Sequence, residues 1–388
     1  MTQHARIRGA LSAASFLLPF ALAGCAALPV TPTARSVPAD FVAIPAPDGL
    51  SLVEAGVTSL DADMRAFLEV QVTGAGDLTK LRQLIRAVVE NPRFRLEYDE
   101  DTRTAAATFG ALRGNCLSFT NLFVALAREA GLAVSYQEVD VPPSWTSHGD
   151  SFVVSRHMNA VVTLRQNADH VVDFNMAEFR AAYPRRAISD ARAAAHYYSN
   201  LGVERMQAGE PAAALAHFQR ALALDRTLAQ VWVNLGAWYR RESSPVLAEA
   251  SYLEALRLNP REYVAMSNLA ELHEHEGHTQ LARAYRKRVT QYRLRNPYFR
   301  YEQAKAAYLV GEFGAAIRQL REALRHAEND PTFHSLLGMS YRELGRTEDA
   351  REAFARAIVL ADDENLRSAV RRKLELLGAV AARPRLAR

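Results

Sequence analysis

Residues 229–262 read AQVWVNLGAWYRRESSPVLAEASYLEALRLNPRE. Trp232, Leu235, Gly236 and Tyr239 recur at helical spacing, Ala248, Tyr252 and Ala255 do so again further on, and Pro260 closes the unit. These eight positions pack one helix hairpin on the next. The pattern returns every 34 residues, in segments beginning at Ala195, Ala229, Tyr263, Pro297 and Pro331. The fifth segment carries Leu337, Gly338, Tyr341, Gly345, Ala350, Phe354 and Ala357, and the first carries Leu201, Gly202, Gly209, Ala214, Phe218 and Ala221. The third keeps Gly277 and Ala282, the fourth Gly311, Ala316 and Ala323, at the turn and the tight helix crossing where a larger side chain would push the helices apart. Residues 364–377 follow as a helix that caps the last apolar face. The second half is therefore expected to be an all-α solenoid.

The 34-residue unit resembles the tetratricopeptide (TPR) repeat. A TPR array implies a binding scaffold whose concave surface takes an extended peptide or a helix, so the expected partner is a protein or peptide. Tyr298, Tyr301, Lys305 and Tyr308, with Arg293, Arg295 and Arg300 nearby, form a candidate groove for an anionic or peptide ligand, against the plainer reading of hairpin packing with a solvated face. The run His273-Glu274-His275-Glu276-Gly277-His278 lacks metalloprotease spacing and falls at a repeat's turn, where alternating side chains are expected to point apart. No metal is expected there.

Upstream, residues 53–186 change from helical to strand-like patterning, as one α+β domain would. Residues 78–90 are apolar at Leu81, Leu84, Ile85 and Val88, which suits an amphipathic helix, and residues 102–112 suit a short one. In the stretch 113–131, RGNCLSFTNLFVALAREAG, Asn115 is a good N-cap and Gly131 a good stop. Cys116 then sits in the first turn of a buried helix, where unpaired backbone N–H groups and the helix dipole favour a thiolate and can receive an oxyanion. Residues 153–164 and 170–174 are expected to be strands of a hairpin turning near Asn167. An even register places His157 and Asp173 on one face as diagonal neighbours. A thiol, a histidine base and an orienting carboxylate are the three groups that acyl transfer through a thioester needs. The plain reading of Cys116 is a small apolar residue on a core helix. His148, in the loop 142–150, is a rival base, but its Pro, Ser and Gly neighbours make it less rigid than a strand histidine.

Gly114-Asn115-Cys116-Leu117-Ser118, then His157, then Val171-Val172-Asp173-Phe174 resemble the transglutaminase-like superfamily, of papain-like fold, in order and spacing over residues 96–176. The resemblance implies Cys116 as nucleophile, His157 as general base and acid, and Asp173 as the residue that orients the imidazole. It covers cross-linking enzymes, peptidases and amide hydrolases. Two departures stand out: Asn159 where an aromatic residue often follows the histidine, and no glutamine ahead of Cys116 to serve an oxyanion. Asn115 and Tyr98 are the candidates for that second donor.

The 388 residues are 49% hydrophobic and 23% charged, which suits folded domains. The net charge of +4 falls to +2 without Arg6 and Arg8, and only four of 47 basic residues are lysines, so nucleic acid is not an expected partner. Arg6 and Arg8 precede an apolar run from 10 to 23 that ends in Leu22-Ala23-Gly24-Cys25, which resembles the lipobox of bacterial lipoproteins. The run is too short to span a bilayer comfortably. Cys25 is the expected lipidation site, and Ala26 after it favours an outer-membrane anchor facing the periplasm. Lipidation leaves Cys116 without a disulfide partner. The expected organisation is a signal peptide (1–24), a Pro-rich tether (25–49), the transglutaminase-like domain (50–190), five repeats (195–364), and a capping helix with a basic tail (365–388). Residues 184–186 read as the interdomain linker. No Gly-rich phosphate loop occurs, and no cofactor is expected. These features imply a lipid-anchored cysteine amidase, peptidase or acyltransferase with a recruiting TPR module; the competing class is a non-catalytic assembly lipoprotein with a vestigial domain.

Overall fold

The computed structural model describes residues 56–91, 94–139, 147–148, 151–152, 157–164, 168–174, 183–361 and 364–381. The expectations for the signal peptide, Cys25 and the tether lie outside them.

The first domain opens with helices α1 (Ala62–Gln71) and α2 (Asp77–Val88). Strand β1 (Glu97–Tyr98) pairs in parallel with β2 (Arg113–Gly114), and α3 (Ala105–Ala111) lies between them. The central helix α4 (Cys116–Glu129) is buried from Leu117 through Ala127, where apolar residues enclose Ser118, Thr120 and Asn121. It ends where Gly131 takes φ +79°, a backbone state open to glycine. Against it lies an antiparallel sheet in the order β7 (Ala168–Val172), β6 (His157–Leu164), β3 (Val134–Val139), β8 (Arg185–Ile188). Met158, Ala160, Val162 and Leu164 alternate into the core beside Tyr136. A two-residue pair, β4 (Ser147–His148) and β5 (Ser151–Phe152), precedes β6.

Residues 184–186 are not a free linker: Arg185 and Arg186 lie in β8, hydrogen-bonded along β3, so the segment before the repeats completes the sheet. Strand β3 carries Glu138 in the row of Val134 and Tyr136, which breaks its apolar alternation.

Five helix hairpins follow: α5 (Asp190–Gln207) with α6 (Pro211–Leu224), α7 (Ala229–Arg241) with α8 (Pro245–Leu258), α9 (Tyr263–His275) with α10 (Thr279–Arg295), α11 (Pro297–Leu309) with α12 (Phe313–Leu324), and α13 (Pro331–Glu343) with α14 (Thr347–Leu360). Helix α15 (Glu364–Ala381) caps them. The hairpins from the second onward start on the 34-residue period, whereas α5 begins five residues ahead of Ala195. A Cβ on Gly236 would stand 2.5 Å from the Tyr252 ring, one on Gly202 2.5 Å from Phe218, and one on Gly338 2.7 Å from Phe354. Where this glycine becomes Ala270 or Ala304, the aromatic residue sixteen places on becomes Arg286 or Leu320. The crossing stays filled, which explains why the third and fourth segments read weakly.

One buried apolar cluster has members from Met64 in α1 to Val289 in α10, with no break at the start of the repeats, and a second fills hairpins four and five. Polar contacts join the same parts. Glu138, 7% exposed, accepts from Arg186 Nη2 at 2.6 Å and Arg192 Nε at 2.6 Å, and its Oε1 lies 2.7 Å from His196 Nε2. Burial alone would raise its pKa, but the hydrogen bonds and charges of His196 and Arg192 outweigh this and hold the carboxyl far below the usual carboxylate range. Strand β5 lies against α7 and α9, and Tyr183 packs edge-on against Tyr298 of α11 at 4.7 Å. Among the described residues no helix is long and apolar enough to cross a membrane.

Candidate functional site

Cys116 is the first residue of α4. Asn115 sets it there: its backbone is extended (φ −89°, ψ 179°), and its side-chain Oδ1 accepts the Ser118 N–H at 3.0 Å, capping the helix. Gly114 is needed because a Cβ there would lie 2.6 Å from Cβ of Ser118, whose hydroxyl accepts the Arg103 N–H at 2.8 Å. The Thr120 hydroxyl, fully buried one turn on, reaches the Cys116 carbonyl oxygen at 2.8 Å and the Met158 carbonyl oxygen at 3.1 Å. It ties the thiol's turn to the strand residue next to His157.

The β6–β7 ladder pairs Ala160 with Val172, which sets Asn159 opposite Asp173 and His157 diagonal to it. His157 Nε2 and Asp173 Oδ2 are 2.7 Å apart, with side chains 6% and 1% exposed. Asn159 Nδ2 donates to the same Oδ2 at 2.9 Å. The imidazole also interacts with the Cys116 thiol. Burial works against the imidazolium, yet the Asp173 hydrogen bond, the Cys116 contact and the charges of both push its pKa up to about 9. Phe174, one residue past Asp173, packs on Phe119 at 5.7 Å and Phe123 at 6.1 Å, which fastens the carboxylate's segment to α4.

The two candidate oxyanion donors fare differently. The Asn115 side chain is not available as one: Nδ2 donates to Thr102 Oγ1 at 2.7 Å and to the Glu100 carbonyl at 3.4 Å, while its backbone N–H goes to the Asp101 carbonyl at 3.3 Å. Tyr98 is paired with Gly114 across β1 and β2, and is 65% exposed. The Cys116 backbone N–H lies in the first turn of α4, where N–H groups have no partner within the helix.

Three further residues had no role in the sequence reading, which named Asn159 only as a departure from the superfamily pattern. Thr120 and Asn159 belong to the site's frame, and Glu204 of α5 accepts the Thr102 N–H at 2.8 Å. A chain of hydrogen bonds therefore runs from the first repeat through Thr102 and Asn115 to the Cys116 turn. Asn159 could have been found, since it stands two residues after His157 on the same face of β6. Glu204 could not, because no local pattern joins it to residue 102. The side chain of the rival base His148 lies outside the described residues.

Of the candidate groove residues, Tyr298, Tyr301 and Tyr308 are half-buried and packed on the second core cluster, Tyr301 stacking on Phe333 at 5.1 Å. Lys305 is exposed, 3.9 Å from Glu302. The aromatic members thus serve hairpin packing, and Tyr298 also meets the first domain through Tyr183. The run 273–278 does not splay as expected: His273, Glu276 and His278 converge, with ligand atoms within 4.8 Å of one another.

An α+β domain with a thiol at a helix start, a histidine on a strand and an aspartate just past the neighbouring strand, leading into helical hairpins, defines the class. A family model of the transglutaminase-like superfamily matches residues 68–241, and one of the tetratricopeptide repeat matches residues 301–365. The chain carries a transglutaminase-like domain followed by TPR repeats. The first match runs through α7, past the expected boundary at 190. No curated protein sequence matches the chain. Among solved structures, YrrB, a TPR protein with an unusual peptide-binding site, is 20% identical with TM-score 0.24, covering 45% of this chain and 91% of its own. TTC0263, a thermophilic TPR protein of Thermus thermophilus, is 23% identical with TM-score 0.25, covering 47% and 100%. The APC/C hetero-tetramer Cut9-Hcn1 is 19% identical with TM-score 0.26 over 49% of this chain, which spans 37% of that one.

Proposed function

We propose that the protein is a lipid-anchored envelope enzyme that hydrolyses or exchanges an amide bond through a thioester on Cys116, with its TPR repeats recruiting a protein or peptide partner. The observation that carries this reading is the 2.7 Å contact of His157 Nε2 with Asp173 Oδ2, on an imidazole that also interacts with Cys116. His157 takes the thiol proton, and the Cys116 sulfur attacks the amide carbonyl carbon. The oxygen of the tetrahedral intermediate is held by the Cys116 N–H at the start of α4. As the C–N bond breaks, His157 returns the proton to the departing amine and a thioester remains. Water or a second amine, deprotonated by His157, then releases the acyl group and restores the thiol. Asp173 and Asn159 hold the ring through both steps. The lipid anchor rests on Leu22-Ala23-Gly24-Cys25 alone.

Incubation with an activated acyl ester, followed by intact-mass and peptide mass spectrometry, tests this reading. The expected result is a single hydroxylamine-labile acyl group on Cys116, absent in Cys116→Ala. No acyl adduct in the folded wild type would favour the assembly-lipoprotein reading instead.

A further inference from the structure

The turn between α9 and α10 gathers chemistry that hairpin packing does not use. The position of His273 is held by Tyr239 and Tyr341 in the second and fifth hairpins, and by Arg205 and Ala307 in the first and fourth. His273 supplies a ring in the third, stacked on Tyr285 at 5.8 Å and 14°. It also brings Nδ1, which has no hydrogen-bond partner although the side chain is only 5% exposed. An unpartnered ring nitrogen this deep is costly unless something occupies it.

What it faces is a carboxylate and a second imidazole. His273 Nδ1 is 3.7 Å from Glu276 Oε2, and His278 Nδ1 is 3.4 Å from the same oxygen, too far for good hydrogen bonds. Ligands ~2.0–2.1 Å from a tetrahedral Zn²⁺ stand about 3.3–3.4 Å from one another. Backbone geometry holds the group together: Gly277 takes φ +77°, and the His278 N–H donates to the His273 carbonyl at 2.8 Å, which folds residue 278 back over the helix end. On the other side of the ring, Glu249 Oε1 stands 3.8 Å from His273 Nε2, beyond hydrogen-bond distance.

We infer that His273, Glu276 and His278 form a binding site for a divalent transition-metal ion, with Zn²⁺ best suited to two imidazoles and one carboxylate. A fourth position is open to water or to a side chain of a bound partner. The site lies in the repeat module and is independent of the Cys116 chemistry.

The full chain, stripped with a chelator and dialysed against micromolar Zn²⁺, is expected to retain one ion by elemental analysis, and Co²⁺ in its place should give tetrahedral d–d absorption. Cys116→Ser should retain the ion, which separates this site from the thiol and imidazole of the first domain. Glu276→Gln and His278→Ala alter exposed or half-exposed residues and should keep the helical circular dichroism. Each should weaken binding by more than the ~10–100-fold that loss of an outer-shell partner costs. Absence of bound Zn²⁺ in the wild type, or affinity unchanged in both folded variants, would overturn the inference.

Discussion

Asn159 donates to the carboxylate oxygen of Asp173 from the directly opposed position on β6, at 2.9 Å, and that same oxygen meets His157. Where many relatives place an aromatic residue, this chain has a hydrogen-bond donor, 0% exposed, that fixes the carboxylate's direction. Asn159→Ala removes one charge-assisted bond and is expected to cost roughly 1.5–3 kcal/mol of stability. It should also slow Cys116 acylation while leaving the fold intact; Asn159→Asp, which sets two carboxylates together, should be worse. Denaturant titration and acylation rates of the three proteins check this.

His157 carries a pKa raised to about 9 against 6.5 in the unfolded chain. A raised pKa means that its contribution to stability is complete below 6.5 and is lost as pH climbs through 9. The stability gap between wild type and His157→Ala, from urea unfolding at a series of pH values, should therefore shrink by at most about 3 kcal/mol between pH 6.5 and 9. Turnover that needs the imidazolium as proton donor should show a falling alkaline limb near pH 9.

Glu138 joins the sheet to α5, and the apolar core runs on across the same boundary. Glu138→Gln leaves Arg192 and His196 facing a neutral amide and should destabilise the protein by ~3–5 kcal/mol at pH 7. Because its folded pKa is depressed, this advantage is present above about 4.5 and disappears as pH falls below it. With residues 184–186 as a linker, residues 40–194 and 195–388 would fold separately. A cut at 194 divides α5 and takes from the first half His196, which meets Glu138, and Glu204, which accepts from Thr102, so the first half alone should unfold at lower temperature than in the intact chain. Circular dichroism melts of both halves and the whole check this; unchanged transitions would restore the independent-domain view.

The proposed lipid anchor depends on one side chain, Cys25. Cys25→Ala should leave a precursor that keeps its leader and moves to the aqueous phase in detergent partitioning, while Cys116 stays reactive. Equal partitioning of mutant and wild type would remove the anchor and leave the chemistry of the first domain untouched.

The repeats were legible because their period is strict: Pro297 and Pro331 begin helices at N1, and in three of the five units a glycine faces an aromatic ring sixteen residues on. Helix α4 was legible from Asn115 and Gly131, and the His157 to Asp173 register from parity along a hairpin. Strand β3 was hidden because Glu138 sits in its inner row, neutralised by arginines 48 and 54 residues away. Strand β8 was hidden because Pro184-Arg185-Arg186 has a linker's composition. The convergence of His273, Glu276 and His278 depends on the left-handed turn at Gly277, which an alternating helix reading misses. Contacts such as Glu204 with Thr102 span 102 residues and leave no local trace.

The central claim is that His157 activates Cys116. Its most direct measurement is the rate of Cys116 alkylation by a thiol-directed electrophile near neutral pH, read by peptide mass spectrometry in wild type, His157→Ala and Asp173→Asn. The account predicts fast, selective modification of Cys116 in the wild type, a large loss of rate in His157→Ala, and an intermediate rate in Asp173→Asn. Slow labelling that is the same in all three folded proteins would contradict it.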